Sequence, residues 1–525
     1  MIGSLAIESF LLAGVLALGL GRVCMSVALR MRWVDRPGHR KIHRRPVPYL
    51  GGLALFLAVG LTLGLALALA PWLGLNTLAG FSLPSLLACI WPAFAACLLG
   101  LWDDLFDLRP RYKFVGQAVF ALVFSQYAYH FSGLHFPGFA PYIMGPEIAV
   151  LVTAFFIVAV ANGYNMMDGS DALCLGASLV TLLLVAAVAD MQGQPHLALL
   201  GLAAAGACLG LLFWNRPPAR IYLGDAGSQG LGFLVACAIL ALDKGEPGNF
   251  ASGIQNSLNP IHYRVVLACL MVGWPALEVF LTVARRVLQG RGLGVADQGH
   301  FHHRLARLGA GPRAIALTAM LVNLLCGGIV LAFMAGEKGI VVLLMLPLAA
   351  LFTLGMQRLG YMRFFSRDWL DDRRPHYAIA SHFAAMQTAK LKLARRSDEV
   401  LGLVEQTCRE FGIHLCRLSL TDASDKRWSW NWNDAAQTPP HKVAWDRVRI
   451  PGTRNHASWS MEAHDEREPE LSMNIRVVMV EFMRSALGRL GDLGGDNAIH
   501  FREIQGYAKG SKPMGTSAKG LKQRL

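Results

Sequence analysis

From the N-terminus to about residue 359 the chain is a succession of apolar runs separated by short polar connections. Each run is about 20 residues long, roughly what crosses a bilayer core. Inside lipid the backbone has no water to bond, so each run has to close its own hydrogen bonds as a helix. We place spans at 4–27, 49–71, 82–102, 113–131, 143–162, 171–189, 196–214, 226–242, 264–284, 314–335 and 339–359. The fold expected is an all-α polytopic membrane protein of about eleven transmembrane helices with a small C-terminal cytoplasmic α+β domain. Composition agrees, because 54% of the residues are hydrophobic and 16% charged, against about 25% charged in an average soluble domain. The formal net charge of +14 would suggest nucleic acid in a soluble protein. Here Lys and Arg lie between the spans, so the expected partner is membrane lipid and not nucleic acid.

Residues 1–31 lack the basic start and small-residue cleavage site of a secretory signal and are expected to remain as the first span. The first connection carries Arg30, Arg32, Arg36, Arg40, Lys41, Arg44 and Arg45, which marks it as cytoplasmic. Alternating from there, Arg109, Arg111 and Lys113, then Arg216 and Arg220, then Arg285 through Arg313, and finally Arg358, Arg363 and Arg367 share that face. The opposite connections carry little positive charge, and 162–171 is a neutral exception on the cytoplasmic side. The expected setting is a bacterial inner membrane, with the N-terminus periplasmic and the C-terminus cytoplasmic. The ten cysteines include no CxxC pair and mostly sit in apolar runs, so they read as small hydrophobes, with no disulfide framework or zinc site.

Beyond residue 370 the composition becomes that of a soluble domain. Residues 378–411 have apolar positions at helical spacing, 413–420 alternate like a strand, and 428–432, 443–450 and 457–462 suggest further strands before an amphipathic helix at 471–490. The division expected is 1–370 for the membrane domain, 371–490 for a cytoplasmic module of regulatory type, and 491–525 for a disordered basic tail rich in Gly, Lys and Ser.

Ionisable groups are costly within a membrane, so their placement carries information. Asp103 and Asp104 abut apolar sequence at the cytoplasmic end of the third span. Adjacent carboxylates repel unless a cation or proton lies between them, and a loop that merely ended a span would need no such pair. Asn165, Asp168 and Asp171 follow at steps of three, which in a helix places them on one face; a metal or polar ligand fits them better than an N-cap and turn. Asn215 precedes a Gly-Asp-Ala-Gly-Ser string, 224–228, at the start of a span. There a helix N-terminus with free N–H groups would favour phosphate, and Asp225 could hold a bridging cation. His300, His302, His303 and Arg304 form a fourth cluster. Without a Cys or a distant His pair to complete a zinc site, these residues suit the binding of a diphosphate or nucleotide. The loop at 35–46 has the composition of a phosphate site, chiefly through Lys41 and His43, although positive-inside topology alone accounts for much of its charge.

Together these strings resemble the polyprenyl-phosphate N-acetylhexosamine-1-phosphate transferases, related to the phospho-N-acetylmuramoyl-pentapeptide transferases. The resemblance covers roughly 1–360 and rests on DRPxxRKxHxxPxPxxGG at 35–52, LGxxDD at 99–104, NxxNMxDGxDxL at 162–173, NxxPAxIxxGDxGS at 215–228 and HxHHR at 300–304. It implies transfer of N-acetylhexosamine 1-phosphate, GlcNAc 1-phosphate in first place, from a UDP-N-acetylhexosamine to undecaprenyl phosphate. UMP is released, and assembly of a cell-surface glycan such as an O-antigen or exopolysaccharide begins. Mg²⁺ (or Mn²⁺) is the implied cofactor, held by Asp225 with Asp103 or Asp104. Asp103, Asp104, Asp168 and Asp171 are the implied catalytic carboxylates. Lys41, His43, Asn165, Asn215, His300, His302, His303 and Arg304 are the implied substrate contacts, with Asn215 toward the nucleotide. Phe301, where the pentapeptide enzymes have a histidine, points to a small UDP-sugar donor. Direct attack by the lipid phosphate is expected over an aspartyl-phosphate intermediate, since a phosphate monoester is already mostly ionised at neutral pH. A homodimer, and a cytoplasmic regulator docked on the C-terminal module, are compatible partners. The competing readings are a polytopic secondary transporter, which would place ionisable groups near the bilayer midplane on interrupted helices in both halves, and a transferase-like sensor or scaffold.

Overall fold

The computed structural model describes residues 2–35, 46–69, 81–106, 108–131, 142–242, 264–288, 300–359, 374–410, the strands between 413 and 463, and a few positions besides. Lys41, His43, most of the helix expected at 471–490, and the tail 491–525 lie outside the described residues. The chain divides into two compact units, Met1–Ala378 and Ile379–Leu525.

The first unit is helical throughout its apolar runs, with two short strand pairs in its connections, β1 (Val34–Asp35) with β2 (Val47–Pro48) and β3 (Gly133–Leu134) with β4 (Tyr142–Ile143). Its helices are α1 (Ile2–Met31), α2 (Gly51–Ala68), α3 (Leu83–Phe106), α4 (Pro110–Tyr127), α5 (Pro146–Met167), α6 (Leu173–Met191), α7 (Pro195–Asn215), α8 (Gly224–Ala241), α9 (Arg264–Val272), α10 (Trp274–Leu288), α11 (Phe301–Arg307), α12 (Pro312–Met334) and α13 (Lys338–Arg358). Nine of them, among the described residues, are long and apolar enough to cross a membrane, and the pair α9–α10 makes a tenth if taken as one span. The chain is thus a multi-pass membrane protein. The fourth expected span, 113–131, is α4, whose Arg111, Lys113 and Gln117 make it less apolar than the nine.

Helix α8 is the axis of the unit. It is buried along almost its whole length and packs against α2, α3 and α5, whereas lipid-facing residues such as Leu343 and Leu346 leave α13 exposed. Close approach at the start of α8 depends on glycine. Gly52 lies directly against Gly227, and a Cβ on Gly52 would collide with the Gly227 backbone. The contact is sealed by Gly51 N–H donating to Tyr222 O at 3.0 Å and Gly52 N–H to Leu223 O at 2.8 Å.

The ninth expected span is not continuous. At Gly273 the chain adopts φ +62°, and the helix axes on either side differ by 101°. Only glycine takes that backbone without strain. Pro275 falls in the first turn of α10, where its missing N–H is no loss, and Trp274 N–H donates to the buried Asn323 Oδ1 at 2.7 Å. An isolated Gly in an apolar run gives no warning of such a break.

In the second unit, residues 379–393 continue α14 (Arg374–Leu393), followed by α15 (Ser397–Glu410). The strands β5 (Ile413–Thr421), β6 (Arg427–Asn433), β7 (Asp446–Pro451) and β8 (His456–Ala463) form one antiparallel sheet in the order β6-β5-β8-β7. This is a small α+β domain, with strands close to those the alternation predicts. All ten cysteines are free and nine are buried.

Candidate functional site

The described parts of the polar strings converge at one end of the first unit's helices, and a lysine stands at their centre. Asp103 lies in the last turn of α3, and its Oδ1 accepts from Leu108 N–H at 2.8 Å, closing the turn into α4. Pro110 starts α4 with its φ already helical, and Lys113 one turn on reaches back. Its Nζ is 2.9 Å from Asp103 Oδ2 and forms a second ion pair with Asp225 Oδ2 in the first turn of α8. Asn165, in the last turn of α5, completes the set. With its Nδ2 toward Asp225 Oδ1 (2.8 Å) and Ser228 Oγ (2.9 Å), its Oδ1 accepts from Lys113 at 3.2 Å. One ammonium therefore meets acceptors from three other helices. One turn deeper, Gln117 Nε2 donates to Gln229 Oε1 at 3.0 Å, and Asn162 Nδ2 donates to Gln117 Oε1 at 2.8 Å, so α4, α5 and α8 are locked in register beneath the centre.

The two adjacent aspartates have separate tasks. Asp104 Oδ1 accepts from Asp225 N–H at 2.9 Å, and its Oδ2 from Ala226 N–H at 3.0 Å. The positive end of α8 is thus neutralised by a protein carboxylate. Asp168, at the C-terminal end of α5, lies close to the Gly224 N–H. Burial first, then the nearby charges of Asp225 and Asp104, push the Asp168 carboxyl well above the usual carboxylate range. The free helix N-terminus expected to seat a phosphate is therefore already occupied by carboxyl groups of the protein itself. Asp104, expected as a metal ligand, anchors the segment that carries Asp225.

Other expected site residues also turn out to hold loops. Helix α5 ends at Met167, so Asp168 and Asp171 do not share a helical face. Asp171 Oδ2 accepts from Ala219 N–H at 3.0 Å. Asn215 is buried, its Oδ1 accepting from Ala172 N–H at 2.9 Å and its Nδ2 donating to Ile221 O at 2.8 Å. It ties 162–173 to 215–228 from within. Asn215→Ala would orphan two buried backbone groups at about 1–3 kcal/mol each. The expected result is a lower melting temperature with little change in KM for a nucleotide donor, checked by thermal unfolding in detergent beside steady-state kinetics. Arg304 is anchored too, donating from Nη1 to Leu359 O at 2.6 Å with its guanidinium 4.4 Å from the Tyr361 ring centroid.

The histidines sit beside the 162–173 loop. Both His302 and His303 approach Gly169, where a Cβ would come 3.2 Å from His302 Nε2, and the His302 and His303 ring centroids are 4.2 Å apart. A polar path thus runs from Lys113 through Asp225, Gly224, Asp168 and Gly169 to His302. Sequence reasoning missed Lys113 and Glu278. Positive-inside topology is enough to account for Lys113, and Glu278 stands as an isolated charge within a span.

Among the described residues no group of three or more His, Cys, Asp or Glu side chains is arranged as a metal cage. Asp103 and Asp225 nevertheless present hard oxygen donors to one point. Magnesium is commonly held by one or two carboxylates together with substrate phosphates, and this pair fits that mode.

A multi-pass helical protein whose helix ends gather carboxylates, a lysine and a histidine loop at one end of the membrane domain has the equipment of an enzyme acting on anions at a membrane surface. Residues 86–243 match the family model described as glycosyl transferase family 4. The chain is similar to a decaprenyl-phosphate N-acetylglucosaminephosphotransferase of Mycobacterium leprae, 30% identical over 56% of this chain and 75% of the relative. It is also 27% identical to a probable undecaprenyl-phosphate N-acetylglucosaminyl 1-phosphate transferase of Bacillus subtilis, over 60% of this chain and 82% of the relative. An undecaprenyl-phosphate alpha-N-acetylglucosaminyl 1-phosphate transferase of Salmonella typhi is 29% identical over 57% and 77% respectively. The chain belongs to this family, the polyprenyl-phosphate N-acetylhexosamine-1-phosphate transferases.

Proposed function

We propose that the chain transfers N-acetylglucosamine 1-phosphate from UDP-N-acetylglucosamine to undecaprenyl phosphate at the cytoplasmic face of a bacterial inner membrane. A lipid phosphate oxygen attacks the β-phosphorus of the donor, the bond from that phosphorus to the bridging oxygen breaks, and UMP leaves with the electron pair. The observation that carries this reading is the Asp103–Lys113–Asp225–Asn165 centre at the helix ends, where a membrane-held phosphate can meet a water-soluble diphosphate. Phosphoryl transfer needs mainly positioning and charge neutralisation, and the lipid phosphate is ionised without a strong base. No covalent aspartyl intermediate is called for.

Asp103 and Asp225 are the residues that would hold magnesium, which when bound neutralises diphosphate charge. Lys113 keeps those two carboxylates together, Asp104 fixes the backbone from which Asp225 projects, and Asp168 closes the same helix end. The broken helix α9–α10 is the feature closest to a transporter. It is single among the described residues, and the carboxylates of the Lys113 centre lie at helix ends, so the transferase reading is preferred.

The test is UMP release by the purified full chain with undecaprenyl phosphate, Mg²⁺ and a panel of UDP-sugars. Release should be greatest with UDP-N-acetylglucosamine and stop when the metal is chelated. Absence of UMP with every sugar sinks the assignment, and activity undiminished by chelation removes the metal from it.

A further inference from the structure

Glu278 is a carboxylate 1% exposed on α10, in a segment apolar enough to lie within the membrane. A group so placed is costly unless it is well bonded. Its Oε1 accepts from Phe301 N–H at 2.9 Å and lies 3.1 Å from His302 Nδ1 and 3.6 Å from His300 Nδ1. The Phe301 N–H and the His302 ring thus meet on one oxygen, with the His300 ring just beyond hydrogen-bond reach. His302 is itself 2% exposed, and neither its Nε2 nor Glu278 Oε2 has a hydrogen-bond partner among the described residues. The bend at Gly273 sets the direction of α10 and so brings Glu278 beneath the loop.

A carboxylate on Nδ1 makes that nitrogen the N–H-bearing one and fixes the plane of the ring. The other nitrogen then faces outward in a defined state, here toward Gly169. Glycine there leaves room beside Nε2 that any side chain would fill. A buried, unpartnered ring nitrogen, held in orientation and facing a side-chain-free stretch of the loop that carries Asp168, is a prepared contact for a polar ligand.

We infer that Glu278 is a positioning residue for the donor substrate. It holds His302 so that Nε2 meets a polar group of the UDP-sugar beside Gly169. The inference rests on the transferase reading and adds to it a residue outside all five sequence strings. Phe301 contributes to the same fixing, since its ring packs edge-on against Trp274 with centroids 4.8 Å apart and clamps the loop to the start of α10.

The experiment compares wild-type, Glu278→Gln, Glu278→Asp, His302→Ala and the double variant Glu278→Gln/His302→Ala, as full-length chains in detergent. Donor and lipid phosphate are varied separately. Glu278→Gln should lower kcat/KM for UDP-N-acetylglucosamine by about 10–100-fold, the scale of one hydrogen bond to a charged group, mainly through donor KM, with KM for undecaprenyl phosphate unchanged. That loss should vanish in the His302→Ala background, because the carboxylate acts through the ring. Glu278→Asp, which keeps the anion on a shorter arm, should fall between wild type and Gln. A donor KM within about twofold of wild type in Glu278→Gln, or an undiminished effect of that substitution without His302, overturns the inference. If the Gln variant cannot be recovered folded, the Asp variant decides, and a donor KM unchanged there overturns it equally. A wild-type chain that releases no UMP from any sugar is a different result, which removes the transferase reading and the donor role with it.

Discussion

Lys113→Met should reduce UMP release by about 100- to 1,000-fold while leaving the chain folded. Methionine fills nearly the same volume but leaves Asp103 and Asp225 facing each other with no cation between them. Removing one preorganised electrostatic group from a reacting centre costs about 100- to 1,000-fold in rate, which is about 3–4 kcal/mol of barrier at about 1.36 kcal/mol per tenfold. Asp103 and Lys113 are 13% and 15% exposed in this pair and Asp225 is 30% exposed, so water screens part of the charge and favours the lower end of the range. Lys113→Arg should not restore activity, because a rigid planar fork cannot replace a compact ammonium between three acceptors. A metal titration separates two accounts of the loss. If Lys113 and magnesium share the same carboxylates, half-maximal activity in the Met variant should need less Mg²⁺ than in the wild type, even as the maximal rate falls. An unchanged maximal rate would remove Lys113 from the centre altogether.

The sequence carries the positions of this site better than its division of labour. Asp103, Asp104, Asn165, Asp168 and Asp225 stand out because polar residues next to apolar spans need a reason, and their helices do bring them together. What separates Asp103 from Asp104 is a partner 121 positions away, the N–H of Asp225, and no local pattern could announce it. The phosphate seat expected at the start of α8 is occupied for the same reason: the carboxyl groups beside it come from α3 and from the end of α5. Asn215, Asp171 and Arg304 are indeed residues with something to bond. Their partners are backbone groups of neighbouring loops, Ala172, Ala219 and Leu359. Lys113 is hidden by a rule that is itself sound, since positive charge on that side of the membrane needs no further explanation. Glu278 is hidden by the opposite circumstance, a single charge in an apolar run whose partners in the histidine loop lie more than 20 positions further along the chain.

Asp225→Asn and Asp104→Asn should both abolish most turnover, and they should differ in stability. Asp225 presents Oδ2 to Lys113 and Oδ1 to the Asn165 amide. Asparagine keeps its size and leaves its backbone N–H on Asp104, and the Asn165 amide can turn its oxygen toward the new NH₂ while still accepting from Ser228 Oγ, so the fold should stay and the charge should go. Removing one preorganised electrostatic group from a reacting centre costs about 100- to 1,000-fold in rate. UMP release should fall at least that far, with the melting temperature close to wild type. Asp104 has both oxygens on N–H groups at the start of α8. Asparagine can offer an oxygen to one of them but sets its own NH₂ against the other, leaving a buried donor unpaired at about 1–3 kcal/mol and a helix end without its compensating charge. Melting should therefore drop clearly in Asp104→Asn and not in Asp225→Asn, with thermal unfolding in detergent as the measurement. Normal turnover in Asp225→Asn would end its role at the reacting phosphates. Wild-type stability with lost turnover in Asp104→Asn would mean that Asp104 acts on substrate or metal directly, as the adjacency of the two aspartates suggests, and that the α8 start is held by Asp168 and the Gly52–Gly227 contact alone.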